Sequence, residues 1–267
     1  MVNSLKKFIG QTARLWAALG DAAVAAVYPN GCRVCGEVIE SWRDGVACSN
    51  CWREIEQKIL SGDFCARCSA PLRPLASRSG PGVEVADRRC GSCDHFAFDF
   101  VRSCGPYEGA LRETVLRLKW SPHVPARLRD GLRQTFSALP QSDLIESIMP
   151  VPLHPARLAE RGFNQAEIIA RELVSLTGLR LNSTALIRVK KTERHRAGMG
   201  ARERARSLEK AFRVRAPRLI EGRVALLVDD VMTTGSTAGA IARVLVDGGA
   251  RAVNVLTLAR AMNEFSN

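Results

Sequence analysis

Residues 224–237 read VALLVDDVMTTGST. Five apolar residues without alternation are the pattern of a strand buried on both faces, as in parallel sheets. In such sheets ligands collect beyond the carboxyl ends of the strands. The run predicts a strand ending at Val228, with Asp229 and Asp230 the first residues outside it. The string TTGST then leads into a predicted helix, STAGAIARVLVDGG (236–249), whose unpaired N-terminal amides and dipole favour an anion. Thr233, Thr234, Ser236 and Thr237 add hydroxyl donors, and Gly235 offers backbone that a phosphate can approach with no Cβ in the way. Two carboxylates above such a nest would repel a phosphate, so they must face another part of the ligand. Vicinal sugar hydroxyls can each donate to one carboxylate, so the loop has the shape of a ribose 5-phosphate site. A strand end with an Asp cap would account for one acid and one threonine, not for the whole string. No Gly-Lys-Ser/Thr follows, which excludes a Walker loop.

The flanking chain supplies the rest of a parallel sheet. LIESIMPVPL (144–153) is a short apolar run closed by prolines, a strand end. NQAEIIARELVSLTG (164–178) reads as a helix with Asn164 as N-cap and Gly178 at its end; Ile168, Ile169, Leu173, Val174 and Leu176 form its apolar face. LRLNSTALIRV (179–189) is strand-like, and AVNVLTLAR (252–260) is a second buried strand. Upstream, EGALRETVLRLKW (108–120) and PARLRDGLRQTFSAL (125–139) place apolar residues three and four apart, the helical spacing. Alternating strands and helices predict an α/β fold with a mostly parallel sheet and helices on both faces.

Nine cysteines occur in the 267 residues, and eight form four Cys-x-x-Cys units: CRVC, CSNC, CARC and CGSC. Each unit lets two thiolates grip one tetrahedral ion from a tight turn, and two units close a four-sulfur zinc shell. Pairing neighbouring units assigns one zinc to Cys32, Cys35, Cys48 and Cys51, and a second to Cys65, Cys68, Cys90 and Cys93. Extracellular disulfides would need an export signal. A redox pair would stand alone beside a βαβ unit, and iron–sulfur ligands usually fall closer together in one run. A closed shell has no open position for water, so these ions are structural. Cys104 is left over and reads as a small buried residue. His95 could serve as a ligand, but eight cysteines make it unnecessary. PLRPLASRSGPGVEVADRR (71–89), without periodicity, reads as a mobile insertion within a ribbon.

Composition sets the remaining bounds. At 46% hydrophobic and 25% charged, the chain is ordinary for a globular protein. No apolar run approaches the roughly 20 residues of a membrane helix, so no membrane insertion is expected. Lys6 and Lys7 precede apolar stretches, but Gln11, Arg14 and Asp21 interrupt any signal-peptide core, favouring an amphipathic helix over 1–31. The net charge is +12, and residues 180–218 hold 13 Lys+Arg against 3 Asp+Glu, or +10. A charge run is usually a solvated face; one this concentrated expects phosphates or a nucleic-acid backbone.

These motifs together, in order, carry a family resemblance. After the cysteine pairs come GPYEGALRETVLRLKW (105–120), PVPLHPARLAERGFNQA (150–166), ERARSLEKAF (203–212) and VALLVDDVMTTGST. The last resembles the phosphoribosyl pyrophosphate (PRPP) loop of type I phosphoribosyltransferases. The whole set resembles the ComF (competence protein F) family, similar in pattern to amidophosphoribosyltransferases. The resemblance implies a double zinc ribbon over 32–95 and a phosphoribosyltransferase domain over 100–262. It implies that Asp229 and Asp230 hold the ribose hydroxyls, with Thr233, Thr234, Gly235, Ser236 and Thr237 on the 5-phosphate. Val151, Pro152 and Leu153 would form the pyrophosphate-side loop, supported by Arg157 and by Arg161, which with the acid pair would serve catalysis. Segment 190–206, with Lys190, Lys191 and Arg194, resembles a loop closing over PRPP, and Lys119 is a further candidate. Arg196, ahead of Gly198 and Met199, stands where a glutamine is expected, and Ser207 where an asparagine is. Mg²⁺ would accompany PRPP. The implied setting is cytoplasmic, with single-stranded DNA and DNA-uptake proteins as further partners in natural transformation.

Overall fold

The computed structural model describes residues 30–72, 88–190, 208 and 210–261. The expected helix over 1–31 falls almost wholly outside them, as do most of the 71–89 insertion and, beyond Lys190, the basic segment 190–206.

Five strands form one parallel sheet: β1 (Val101–Ser103), β2 (Ile145–Pro150), β3 (Arg180–Leu181), β6 (Val224–Met232) and β7 (Ala252–Arg260), in the order β1-β7-β6-β2-β3. A separate antiparallel pair joins β4 (Leu186–Arg188) to β5 (Phe212–Val214). The helices are α1 (Ser49–Ser61), α2 (Gly109–Arg117), α3 (Ala126–Ser137), α4 (Pro155–Arg161), α5 (Gln165–Thr177) and α6 (Ser236–Asp247).

Strand alternation sends successive side chains of β6 to opposite faces. Val224, Leu226 and Val228 join Ile169 and Leu173 of α5, Leu111 and Val115 of α2, and Leu128 and Leu132 of α3 in one core. Ala225 and Leu227 join Ile241, Ala242 and Leu245 of α6 in the other. Helices therefore cover both faces, as the continuous apolar runs require. The cysteine groups divide in the same way. Cys32, Cys48 and Cys51 pack with Trp52 and Ile55 into the first core, whereas Cys65, Cys68 and Cys93 pack with Phe98 into the second. Each ribbon thus borrows hydrophobic core from one face of the sheet.

Two sequence expectations are corrected. The strand-like 179–189 is two short strands in different sheets. Asn182 breaks it: its amide still donates to Ile148 O at 2.8 Å, while its side chain accepts from Ala185 N at 3.2 Å and turns the chain out of the sheet. The second concerns β6, which does not stop at Val228 but continues to Met232, because β7 goes on pairing with it.

Candidate functional site

The continuation of β6 shapes the site. On one side β2 pairs with it only as far as Pro150 opposite Val228, and Val151 N closes that ladder on Val228 O at 2.8 Å. On the other side Asp229 still faces Thr257, and Met232 faces Arg260. A notch opens where β2 leaves, and the acid pair stands at its mouth. Asp230 N donates to Asp229 Oδ1 at 2.9 Å, and Val231 N to Asp230 Oδ1 at 2.7 Å. Both carboxylates are thereby oriented by neighbouring amides and remain half-buried.

Electrostatically Asp229 is strained. Burial pushes the Asp229 carboxyl well above the ordinary carboxylate range, and the adjacent Asp230 charge raises it further. The Asp230 amide and the Arg188 guanidinium pull it partly back. Arg188 in turn is lowered by burial and by the nearby Arg157 charge, against the pull of Asp229. Arg157 thus lies near Arg188, which in turn lies near Asp229. Arg188 was hidden among thirteen basic residues and has no motif to mark it. Arg161, on the last turn of α4, donates from Nη1 to Gln165 Oε1 at 3.0 Å. Lys119 lies beyond the end of α2, its amide donating to Leu116 O at 3.3 Å. Lys190 is exposed, while Lys191, Arg194, Arg196, Gly198, Met199 and Ser207 lie outside the described residues.

Across the notch, the loop Val151–Leu153 is fixed by Asn164. Its Oδ1 accepts from Ala166 N at 3.1 Å, the expected N-cap of α5, and its Nδ2 donates to Val151 O at 2.9 Å. One buried amide therefore sets both the helix start and the loop. The sequence reveals only the first role.

Below the acids, Thr233–Thr237 leads into α6 as expected, with exposed Thr233 and Thr234. Thr234 Oγ1 and Ser236 Oγ lie 2.8 Å apart, and Ser236 N donates to Thr234 Oγ1 at 3.3 Å. Arg260 Nη1 donates to the carbonyls of Met232 (3.1 Å) and Thr233, so neither acceptor is left to repel an anion. Gly235 has φ +84°, and a Cβ there would stand 2.8 Å from Met232 Cε and 3.1 Å from Phe96 Cε2. Backbone handedness and packing against protein therefore each call for glycine here, whatever binds above the loop.

The eight paired cysteines gather into the two groups that their spacing predicts, the four sulfurs of each lying within 4.8 Å of one another. The closest sulfurs are 3.6–3.8 Å apart, too far for a disulfide of about 2.05 Å. A tetrahedral zinc with Zn–S of about 2.3 Å has an edge of about 3.8 Å, so the donor sets fit the ion. Amides of Val34 and Cys48 donate to Cys32 Sγ, and that of Cys90 to Cys65 Sγ. Burial raises the Cys32 thiol, but amides of Cys35, Cys48 and Val34 outweigh it and bring it down to about 6. The Cys68 thiol leads in lowering Cys65 to about 4. Each group thus contains one cysteine whose thiol is lowered, Cys32 and Cys65. His95 is not in either group and lies against Phe96 instead, ring centroids 4.0 Å apart and the planes tilted by 42°. Cys104 is half-buried and accepts from Thr135 Oγ1 at 3.3 Å; burial pushes its thiol up to about 11.

Residues 23–94 match the double zinc ribbon domain, and residues 158–264 the phosphoribosyl transferase domain. The DNA utilization protein YhgH of Escherichia coli (strain K12) is 39% identical over 205 residues, spanning 74% of this chain and 89% of that protein. Competence protein F of Haemophilus influenzae is 31% identical over 218 residues, 76% of this chain and 93% of that protein. The glutamine PRPP amidotransferase structure from B. subtilis aligns with TM-score 0.36 and 18% identity, covering 54% of this chain and 30% of its own. With its two four-cysteine groups set on a mostly parallel sheet, the chain belongs to the competence protein F (ComF) family.

Proposed function

We propose that this protein binds PRPP in the notch between β2 and β6 and transfers its ribosyl 5-phosphate to a nucleophile. The observation that carries this reading is the acid pair one step beyond the departure of β2, directly before the N-terminus of α6. Asp229 and Asp230 accept from the 2- and 3-hydroxyls, and Thr233, Thr234, Gly235, Ser236 and Thr237 hold the 5-phosphate. Val151, Pro152 and Leu153, with Arg157 and Arg161, face the pyrophosphate, and Lys190, Lys191 and Arg194 approach it from the adjoining segment. The C1–O bond breaks with its electron pair leaving on pyrophosphate, while the acceptor's lone pair forms the new bond to C1 and its proton is released. Charge at C1 resembles the cationic sugar of glycoside cleavage. The acids fix the ring against it, and the arginines offset charge growing on the leaving oxygens. Mg²⁺ carried with the pyrophosphate supplies further neutralisation. Eight thiols kept as zinc ligands suit a reducing, cytoplasmic setting. Pyrophosphate release from PRPP tests the reading; a protein that neither binds nor cleaves PRPP overturns it.

A second reading is a single-stranded-DNA-handling factor, working with DNA-uptake proteins, for which PRPP is ligand or regulator. The names of the relatives, DNA utilization protein and competence protein, favour it, as does Trp120, 87% exposed just past α2 as a stacking surface. Oligonucleotide affinity that falls steeply with salt and that weakens in Trp120→Ala with the salt slope kept supports this alternative.

A further inference from the structure

The second cysteine group lies against the loop that precedes α6. Phe96 follows Cys93 by three residues and is held there by its own backbone, Phe96 N donating to Cys93 O at 3.2 Å. Arg67, between Cys65 and Cys68, gathers the same segment. Its guanidinium donates to Cys93 O (3.0 Å), Phe96 O (2.9 Å) and Phe98 O (2.8 Å). One side chain therefore binds the two metal-gripping turns together through the backbone that carries Phe96. The ring itself stacks on Phe98, centroids 5.1 Å apart.

The other face of that ring meets α6. A Cβ on Gly239 would stand 2.1 Å from Phe96 Cδ1, and one on Gly235 3.1 Å from its Cε2. At 2.1 Å a side chain fits only if the ring moves, so the ring occupies the space where the first turn of α6 would otherwise carry a methyl group. The loop is thus clamped from two sides, by Phe96 beneath it and by Arg260 on its carbonyls. None of residues 233–239 shares a core with the first cysteine group.

We infer that Phe96 is a positioning residue for the Thr233–Thr237 loop, and that the second cysteine group, not the first, sets the loop's affinity for phosphate. The inference rests on the proposed role of this loop, and deepens it. Metal in the second group fixes Cys65 and Cys93; Arg67 and the Cys93 carbonyl transmit that position to Phe96; Phe96 fixes the helix turn whose amides face the anion.

The test uses the full zinc-loaded chain, with ribose 5-phosphate as probe and amide exchange over 233–239 as a ligand-free readout. Phe96→Ala should weaken ribose 5-phosphate by about tenfold, as small misplacements of a site do, and speed exchange across 233–239. Phe96→Leu should restore most of both. Gly239→Ala should weaken binding in the wild-type background, yet cost little more once Phe96→Ala has vacated the space. Cys93→Ser should mimic Phe96→Ala, with one zinc lost, while Cys35→Ser should lose zinc and leave the loop unchanged. Wild-type exchange and affinity in Phe96→Ala, or an equal cost of Gly239→Ala in both backgrounds, would overturn the inference. Should the wild type bind no ribose 5-phosphate, the assigned ligand fails, and the exchange arm still decides the coupling.

Discussion

Asp229→Asn separates ligand binding from folding, because the two should move in opposite directions. Burial and the Asp230 charge raise the Asp229 carboxyl in the folded protein. The folded state therefore holds this proton more tightly than the unfolded chain does. Its contribution to stability is complete below the unfolded value of about 3.9 and is lost as pH rises through the folded value. Asparagine carries no charge and loses nothing over that window, while its Oδ1 can still accept the Asp230 amide that Asp229 accepts at 2.9 Å. The ligand-free variant should accordingly melt higher than wild type at pH 8, each kcal/mol raising Tm by about 2–4 °C at this chain length. The gap should close as pH falls toward about 4. PRPP binding should respond in the other sense. A hydrogen bond to a charged group contributes about 1.5–3 kcal/mol, so losing the charge should weaken PRPP by about 10- to 150-fold. Thermal melts across pH and titration calorimetry at pH 8 read both effects. A lower Tm at pH 8 would refute the strained-acid argument, and unchanged affinity would refute the ribose contact.

Elemental analysis should find two zinc ions per chain, and strong chelation should lower Tm; detected disulfides with no zinc would remove both metal sites. Asn164→Ala loses a helix cap and the donor to Val151 O, so stability should fall by about 1–2 kcal/mol by denaturant titration. Asn164→Asp keeps the cap acceptor but sets a carboxylate oxygen against Val151 O, so it should regain only part of the stability and none of the PRPP affinity. Neutralising Lys190, Lys191 and Arg194 should weaken PRPP far more than ribose 5-phosphate in calorimetry; equal losses would assign their charge to general electrostatics.

What was legible in the sequence was what a residue does within its own element. The apolar runs of β6 and β7, the Asn164 cap and the Gly178 end of α5 depend on neighbours within about one turn, and all stand where pattern places them. The cysteine pairs are legible for a related reason: metal geometry restricts which spacings work, so spacing reports a three-dimensional contact. Illegible were features decided by a partner strand. Asp229 and Asp230 fall inside β6 because β7 is long, and β3 stops at Leu181, although β2 runs on to Pro150, because the Asn182 side chain takes the Ala185 amide and turns the chain away.

Gly235 and Gly239 mark the boundary between these two kinds of information. Their small size is plain in the sequence, and beside paired aspartates the chemistry of a phosphate loop explains Gly235 without remainder. The structure supplies another cause: both make room for a ring that lies, for Gly239, 143 residues earlier in the chain. A glycine records that space is needed and not what fills it. Phe96 gives no warning either, since one aromatic in HFAFDF (95–100) looks like any other strand-edge residue. Arg260 is similar, a lone charge closing an apolar strand, yet its guanidinium holds the carbonyls of Met232 and Thr233. Both residues reach the loop from outside its motif, through the second cysteine group and the end of β7. The chemistry facing a ligand can therefore be written in one short stretch while the geometry that makes it effective is supplied elsewhere. It follows that substitutions confined to the motif report on contacts, and only substitutions such as Phe96→Ala report on what holds those contacts in place.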